Sequence, residues 1–337
     1  MNILSFESSC DETAVAIVRD GRTVVSSVVF SQIDVHKLYG GVVPEIASRY
    51  HIEKISQLTA ECLEKAGIAE EELDAVAVTA APGLIGALLV GVNFAKGYAY
   101  ARNLPLIPVH HIRAHVAANY LAFPELKPPF LAMIVSGGHS HIVEVKDYTD
   151  YKIWGRTRDD AAGEAFDKGA RVLGLPYPGG VHMDKLAKEG NPKAYRFPKV
   201  HFKDAPYDFS FSGVKTAIVN DVHNARQKGV ELPVADLAAA YSDAITGVLA
   251  ENFLRCARDL GYKTLVIAGG VSANSMLREK LQAGKGKDQT LYMPPLSLCG
   301  DNGAMVGAQA YYEYQAGKVA GLDLNAVSAF SIENQLC

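Results

Sequence analysis

His111 and His115 stand four residues apart, in His110-His111-Ile112-Arg113-Ala114-His115. On a helix, positions i and i+4 share one face, so the two imidazoles can grip one metal ion. A mononuclear site needs a third ligand from elsewhere in the chain. Asp301, in Cys299-Gly300-Asp301-Asn302-Gly303-Ala304, meets that need where a loop runs into a C-terminal helix. Two imidazoles and one carboxylate suit iron or zinc with positions left open for substrate. A zinc protease of the HExxH type needs a glutamate directly after the first histidine. Ile112 stands there, so the proteolytic base is missing. His110 reads as a residue that shapes the preceding loop.

A second chemistry is suggested by tight turns at strand ends. Ser9–Thr13 and Ser136–His139 each close an apolar run, and Gly269-Gly270 lies between a strand and a helix N-terminus. Glycines let backbone N–H groups approach a phosphate, and a helix N-terminus favours an anion. None of the three is a Walker loop or a GxGxxG fingerprint. Each alone reads as a tight turn, whereas three in corresponding places point to a nucleotide site. Asp11, in the first turn, is the carboxylate that could hold a metal or water against a phosphate; read plainly, it is a turn aspartate.

The elements that must position these residues repeat. Three strands open the chain, at 2–9, 14–19 and 23–30, with Asp20-Gly21 as the turn before the third. A helix follows over 44–67, with Ile46, Ile52, Ile55, Leu58, Cys62 and Leu63 near helical spacing. Then come a strand at 75–79, a buried helix at 86–101, and a short strand at 106–109 leading into the histidine helix. The pattern restarts with strands at 130–135, 140–145 and 152–156 and a helix over 159–173. A later strand, 264–268, leads to a helix from about Ser272. The strand–turn–strand–strand opening therefore occurs twice, about 128 residues apart, without shared sequence. This predicts an α/β fold of two lobes with a cleft between them. The lobe boundaries read as 1–129, joined by the C-terminal helix at about 301–317, and 130–300.

Length and composition agree. The 337 residues are 49% hydrophobic and 21% charged, which excludes disorder and low-complexity classes. Residues 75–95 carry no charge, but Pro82-Gly83 interrupts them, so strand plus helix is expected there rather than a membrane span. Met1–Glu7 reads as no signal peptide. The five cysteines are odd in number, widely spaced and without a CxxC pair, which fits a reducing cytoplasm. The net charge of −4 hides local runs: 193–228 is net +4, 278–287 net +3 and 61–74 net −5. The first two are candidate RNA-facing surface and the third a candidate partner face, and each also fits an ordinary solvated surface.

These stretches, read together, resemble a known family. Glu7-Ser-Ser-Cys-Asp-Glu-Thr13, Tyr39-Gly-Gly-Val-Val-Pro-Glu45, Pro82-Gly-Leu84, His111-Ile-Arg-Ala-His115, Val135-Ser-Gly-Gly-His139, Asp160-Ala-Ala-Gly-Glu-Ala-Phe-Asp167, Tyr177-Pro-Gly-Gly180, Phe209-Ser-Phe-Ser-Gly213 and Gly269-Gly-Val-Ser-Ala-Asn274 look like the bacterial TsaD family, also called YgjD or Gcp. The resemblance runs from residue 1 to about 317; residues 318–337 carry no recognised motif. It implies an actin/Hsp70/sugar-kinase fold of two ribonuclease-H-like halves. It implies transfer of a threonylcarbamoyl group from threonylcarbamoyl-AMP to N6 of adenosine 37 in tRNAs that read codons starting with A. It implies one divalent metal, Fe2+ or Zn2+, on His111, His115 and Asp301. The nucleotide part of the donor maps to Ile134, Val135, Ser136, Gly137, Gly138, Asp167, Gly180, Asp184 and Asn274. Asp11 matches an aspartate important for activity. The implied partners are tRNA, the homologous protein TsaB and the small ATPase TsaE, with no membrane.

The chain departs from the family at three places. Many relatives carry Glu where this chain has Arg113, which could alter the charge near the metal but is not a ligand position, so the metal assignment stands. Ser8 and Ser140 stand where Thr is common. Three other readings compete with the transferase. A hydrolase or kinase of the same fold would not need the histidine pair. A catalytically empty partner would lack it. A metalloprotease would need a glutamate at 112.

Overall fold

A computed structural model describes residues 1–337, which divide into two compact units. Unit 1 comprises Met1–Pro129, Val145–Lys152 and Pro294–Cys337; unit 2 comprises Phe130–Glu144 and Ile153–Met293.

In unit 1, β1 (Asn2–Glu7), β2 (Glu12–Arg19) and β3 (Thr23–Ser31) form an antiparallel meander. Asp20 and Gly21, both at positive φ (54° and 66°), make the tight turn between β2 and β3. A single helical turn, α1 (Ile33–His36), precedes the long helix α2 (Pro44–Ala66). Pro44 starts α2, where its missing N–H costs nothing, and Gly67 in the left-handed region ends it. β4 (Ala75–Ala81) runs parallel to β1, and β5 (Leu106–His110) parallel to β4. Between them lies α3 (Ile85–Arg102), and after β5 comes α4 (His111–Ala122). The sheet order is β3-β2-β1-β4-β5.

Alternation along the strands divides this unit's core. Leu4, Phe6, Val76 and Val78 face one way, with Ile55, Leu58, Leu88 and Val92 of α2 and α3. Ile3, Ala75, Ala77, Ile107 and Val109 face the other, with Ala114 and Ala118 of α4 and Met305, Val306 and Ala310 of the C-terminal helix. Helices thus cover both faces, which is why β4 is buried at every residue. The uncharged stretch at 75–95 is a central strand and the start of a helix that buries one face only (Ala87, Leu88, Gly91, Val92, Ala95) and exposes Ile85 and Asn93, rather than the fully buried helix expected, and no helix is long and apolar enough to cross a membrane.

Unit 2 repeats the order. β6 (Phe130–Val135), β7 (Ser140–Asp147) and β8 (Asp150–Arg156) come first. The helices α5 (Ala162–Val172), α6 (Gly179–Ala187), α7 (Ser212–Lys228) and α8 (Val234–Asp259) follow. Then come β9 (Thr264–Ala268), α9 (Ser275–Gly284) and β10 (Thr290–Tyr292). Its sheet order, read from the other edge, is β8-β7-β6-β9-β10, third-second-first-fourth-fifth as in unit 1. The two units therefore share one strand order, as the duplicated opening predicts, and it is the ribonuclease-H-like arrangement that the family resemblance implies.

Two expected helix starts shift, for physical reasons. α5 begins at Ala162 rather than 159. Asp159 accepts bonds from Ser210 Oγ and Phe211 N, and Asp160 binds Lys168 and Lys215. The helix expected from Ser272 begins at Ser275, after a 3-10 turn over Gly270–Ala273. Helices α6 to α8 and β10 add to the elements that pattern alone predicts.

The last helix, α10 (Gly303–Gln315), returns to unit 1 and lies directly on its strands. Asn302 caps it, its Oδ1 accepting from Met305 N at 2.9 Å. A Cβ on Gly303 would sit 2.7 Å from Ala16 N, and one on Gly307 2.7 Å from Val18 Cγ2. Ser5 Oγ donates to Gly303 O at 2.7 Å. Because the atoms facing Gly303 are backbone, Gly303→Ala cannot be absorbed by a rotamer change. It is expected to lower stability by about 1–3 kcal/mol, as overpacking does, read as a lower urea midpoint; an unchanged midpoint would contradict this contact.

Candidate functional site

α4 begins at His111, so His111 and His115 occupy its first and second turns on one face. Their rings lie 4.6 Å apart, nearly edge to face. α10 delivers Asp301, two residues before its start, to the same place. His115 Nε2 is 3.1 Å and His111 Nε2 3.7 Å from Asp301 Oδ1. One ligand atom from each of the three residues lies within 4.8 Å of the others.

Two observations test whether this set fits a metal. His115 is 1% exposed, yet neither ring nitrogen makes a hydrogen bond, even with Asp301 Oδ1 so near. Buried polar atoms are nearly always satisfied, so an unpaired His115 Nε2 3.1 Å from a carboxylate oxygen fits a cation between them. The spacing agrees: ligand atoms about 2.1 Å from a tetrahedral metal lie roughly 3.4 Å apart. The residues fit the group.

Glu7, at the end of β1 and 1% exposed, backs the site. Its Oε2 lies 3.0 Å from His111 Nδ1, while Thr79 Oγ1 donates to Oε2 at 2.7 Å and Ser9 N to Oε1 at 2.6 Å. With Nδ1–H donating to Glu7, His111 turns its Nε2 lone pair toward Asp301. This is the carboxylate–histidine arrangement that orients metal ligands. Burial pushes the Glu7 carboxyl up, but the facing His111 charge and these hydrogen bonds hold it below its ordinary value. Burial likewise opposes a charged His111, but Glu7 and Asp301 outweigh it and raise His111 to about 9. The two carboxylates thus favour one positive charge here, carried by the protonated His111 ring or by a cation that replaces its Nε2 proton.

Asp11 is buried in the β1–β2 loop, whose backbone is pinned on three sides. Leu84 N donates to Ser9 O at 2.8 Å and Gln32 N to Asp11 O at 3.1 Å. His51 of α2 lies 2.7 Å from Thr13 Oγ1 and 2.9 Å from Cys10 O. A carbonyl only accepts, so Nε2 donates to Cys10 and Nδ1 accepts from Thr13. Burial, which lowers the His51 pKa, keeps this neutral tautomer in place. Burial, followed by Asp301 and Asp11, raises Glu12 to about 9, so Asp11 and Asp301 act on the same neighbourhood. Burial and the same two carboxylates push the Cys10 thiol up, which makes it a poor nucleophile.

Arg113 does not do what its place between the two ligands suggests. It is 2% exposed and spends its charge on Glu313, at 3.1 Å, and on carbonyls of the C-terminal segment rather than on the metal ligands.

In unit 2, residues 134–138 and Asn274 lie at or just beyond the carboxyl ends of the parallel strands β6 and β9, where α/β sheets bind ligands, whereas Asp167, Gly180 and Asp184 lie on α5 and α6. Ile134 and Val135 are wholly buried, so their side chains serve the core. The loop after them closes by Ser136 N donating to His139 O at 2.8 Å. Cβ atoms on Gly137 and Gly138 would meet nothing, so this backbone is open to a ligand. Behind the loop, Gly163 N donates to Ser136 O at 3.1 Å, and a Cβ on Gly163 would strike that oxygen. Gly269, at φ +87°, packs against Val135 O, which brings the β9–α9 loop alongside.

Asp167 and Gly180 come together: Asp167 Oδ1 accepts from Gly179 N at 2.8 Å and Gly180 N at 3.3 Å, capping α6. Asp184 Oδ1 accepts from both N and Oγ of Ser275, at 2.9 Å each, beside Asn274. Asn274 caps α9, its Oδ1 accepting from Leu277 N. Sequence reasoning missed Glu7 and His51 as site residues. The one available signal was a charged residue ending an otherwise apolar strand.

Comparison with known proteins adds identity to this geometry. The family model described as TsaD, tRNA N6-adenosine threonylcarbamoyltransferase, matches residues 23–308. A protein of that name from Moorella thermoacetica is 52% identical over 327 residues, covering 97% of this chain and 96% of its own length. One from Clostridium botulinum is 49% identical over 328 residues, with the same coverage. Among solved structures, HypF of T. kodakarensis has TM-score 0.62 at 14% identity, covering 96% of this chain and 49% of that one. Component A of the (R)-2-hydroxyglutaryl-CoA dehydratase of Acidaminococcus fermentans has TM-score 0.55 at 15% identity, covering 94% and 98%. Likeness at such identities establishes the fold alone, the actin/Hsp70/sugar-kinase fold.

The Glu7–His111 contact generates a prediction. Glu7→Gln preserves size but removes the charge behind His111, and is expected to weaken metal binding roughly 10–100-fold, as loss of an orienting partner does. Titration with Co2+, followed by visible absorption, checks it; wild-type affinity would contradict the role given to Glu7.

Proposed function

The chain belongs to the tRNA N6-adenosine threonylcarbamoyltransferase family, and we propose that it moves a threonylcarbamoyl group from threonylcarbamoyl-AMP to N6 of adenosine 37, in tRNAs that read codons starting with A. The observation that carries this reading is the buried convergence of His111, His115 and Asp301 with Glu7 behind them. The alternative, a metal- or ATP-dependent hydrolase or kinase of the same fold, would need ATP turnover or a sugar. A protease would need an acid at position 112, which is Ile112.

The donor is a mixed anhydride, already activated, and the acceptor amine is a poor nucleophile. The tasks left to the protein are positioning, polarisation of the carbonyl and stabilisation of the leaving phosphate. An Fe2+ or Zn2+ ion held by His111, His115 and Asp301 would supply Lewis acidity to the donor. The N–H groups of Ser136, Gly137 and Gly138 would receive the charge that develops on AMP as the acyl–phosphate bond breaks. Asp167, Gly180, Asp184 and Asn274 would shape the seat of its ribose and base. Asp11 is the group we assign to the proton released by N6.

The proposed lobes are residues 1–129 with the helix at 301–317, holding the metal, and 130–300, holding the nucleotide. We assign the protein to the cytoplasm, working with TsaB and TsaE.

Reconstitution tests the reading. Unmodified tRNA, the donor-making enzyme and the two partner proteins should give threonylcarbamoylated tRNA with wild type. His111→Ala with His115→Ala should lose bound metal and transfer together. Full transfer by that double variant would sink the metal-dependent reading.

A further inference from the structure

Residues 326–335 form neither helix nor strand, yet they are fastened at successive points to the end of β4 and the start of α4. Val327 N donates to Ala80 O at 2.9 Å, and Gly83 N to Ser328 O at 3.2 Å. His110 Nε2 donates to Phe330 O at 3.2 Å. Arg113 then takes over: Nε and Nη2 donate to Ile332 O at 3.0 and 2.6 Å, Nη2 to Asn334 O at 2.8 Å, and Nη1 to Gln335 Oε1 at 3.1 Å. Gln335 Nε2 returns a bond to Thr149 O at 3.0 Å. Ile332 is 2% exposed.

These fastenings meet the metal helix at the points that set its position. His110 is the N-cap of α4; its Nδ1 accepts from Ile112 N while its other nitrogen holds the segment. Arg113 lies two residues from each metal ligand, about 200° round the helix, so it braces the face opposite to theirs. The guanidinium also needs the segment. With Ile332, Asn334 and Gln335 undocked, the guanidinium, 2% exposed with the segment in place, would keep as protein partners only Glu313 and the Tyr151 ring, 4.9 Å away. Stripping partners from a buried charge is strongly unfavourable. Docking of the segment and the placement of α4 are therefore linked. His115 has no hydrogen bond of its own to aim its ring, so its direction is inherited from the helix.

We propose that residues 326–335 are a strap that sets the position of α4, and that Arg113 is the positioning residue through which the strap aims His111 and His115. The inference rests on the metal reading above, and the test separates the two. Arg113→Met keeps length and apolar bulk but frees the strap. Hydrogen exchange of amides 326–335 should accelerate at least tenfold, and Co2+ affinity should fall roughly 10–100-fold, with Arg113→Lys restoring part of both.

A role confined to stability would lower the melting temperature and leave Co2+ affinity in the folded range unchanged. That result, or unchanged exchange, overturns the proposal. Should Arg113→Met fail to fold, Ile332→Ala with Gln335→Ala loosens the same strap from its other side and carries the same comparison. Wild-type protein that binds no Co2+ would overturn the metal reading, and the aiming role with it.

Discussion

One buried carboxylate organises the cluster of His111, His115 and Asp301. Glu7 ends β1 beneath the surface, where an unpaired charge would be prohibitive. Its partners come from three places in the chain: Ser9 N from the loop after β1, Thr79 Oγ1 from β4 and His111 from α4. Satisfying it fixes the loop that carries Asp11, holds β4 in register beside β1, and turns His111 so that its second nitrogen faces Asp301. Asp301 is placed by an independent constraint, the close approach of α10 to β1 and β2 that Gly303 and Gly307 allow. The three ligand positions are thus set by parts of the chain nearly 300 residues apart in sequence.

Unit 2 uses the same sheet order for a different purpose. Where the first loop of unit 1 carries carboxylates, that of unit 2 carries Gly137 and Gly138. Where unit 1 gathers imidazoles, unit 2 gathers backbone N–H groups and caps. Asp167 and Asp184 are engaged with backbone N–H groups at or near the starts of α6 and α9. They anchor these helices, and Asp184 is engaged on its other side too, its Oδ2 lying 3.6 Å from Lys188 Nζ.

This difference decides what was legible in advance. The histidine pair was readable because helical spacing alone puts i and i+4 together. The two lobes were readable because strands that alternate or run wholly apolar announce themselves. Glu7 was not, since a charge at a strand end usually means solvent, and only the packed neighbours reveal that it is sealed. The effect of Arg113 is illegible for a related reason. Its place between two ligands suggested an effect on the metal, but side chains two apart on a helix face away from each other. The strap had no signature at all, because irregular backbone held by side-chain donors leaves no period in the sequence.

The charge runs are the clearest case of sequence needing structure. The acidic run at 61–74 is partly consumed at home: Glu70 and Glu71 pair with Arg102, Lys65 with Glu61, and Asp74 accepts from Asn2 N. Its value as a partner face is smaller than its formal charge. The basic runs are consumed more selectively. Lys215 is committed to Asp160 and Lys280 to Asp243, and both bonds are internal to unit 2. Burial lowers the Lys280 pKa although the Asp243 pairing opposes it. Attraction for a phosphate backbone must come from cations whose charge is not already spent inside the fold. A count along the sequence cannot make that distinction, so a net charge of −4 is weak evidence in either direction about RNA.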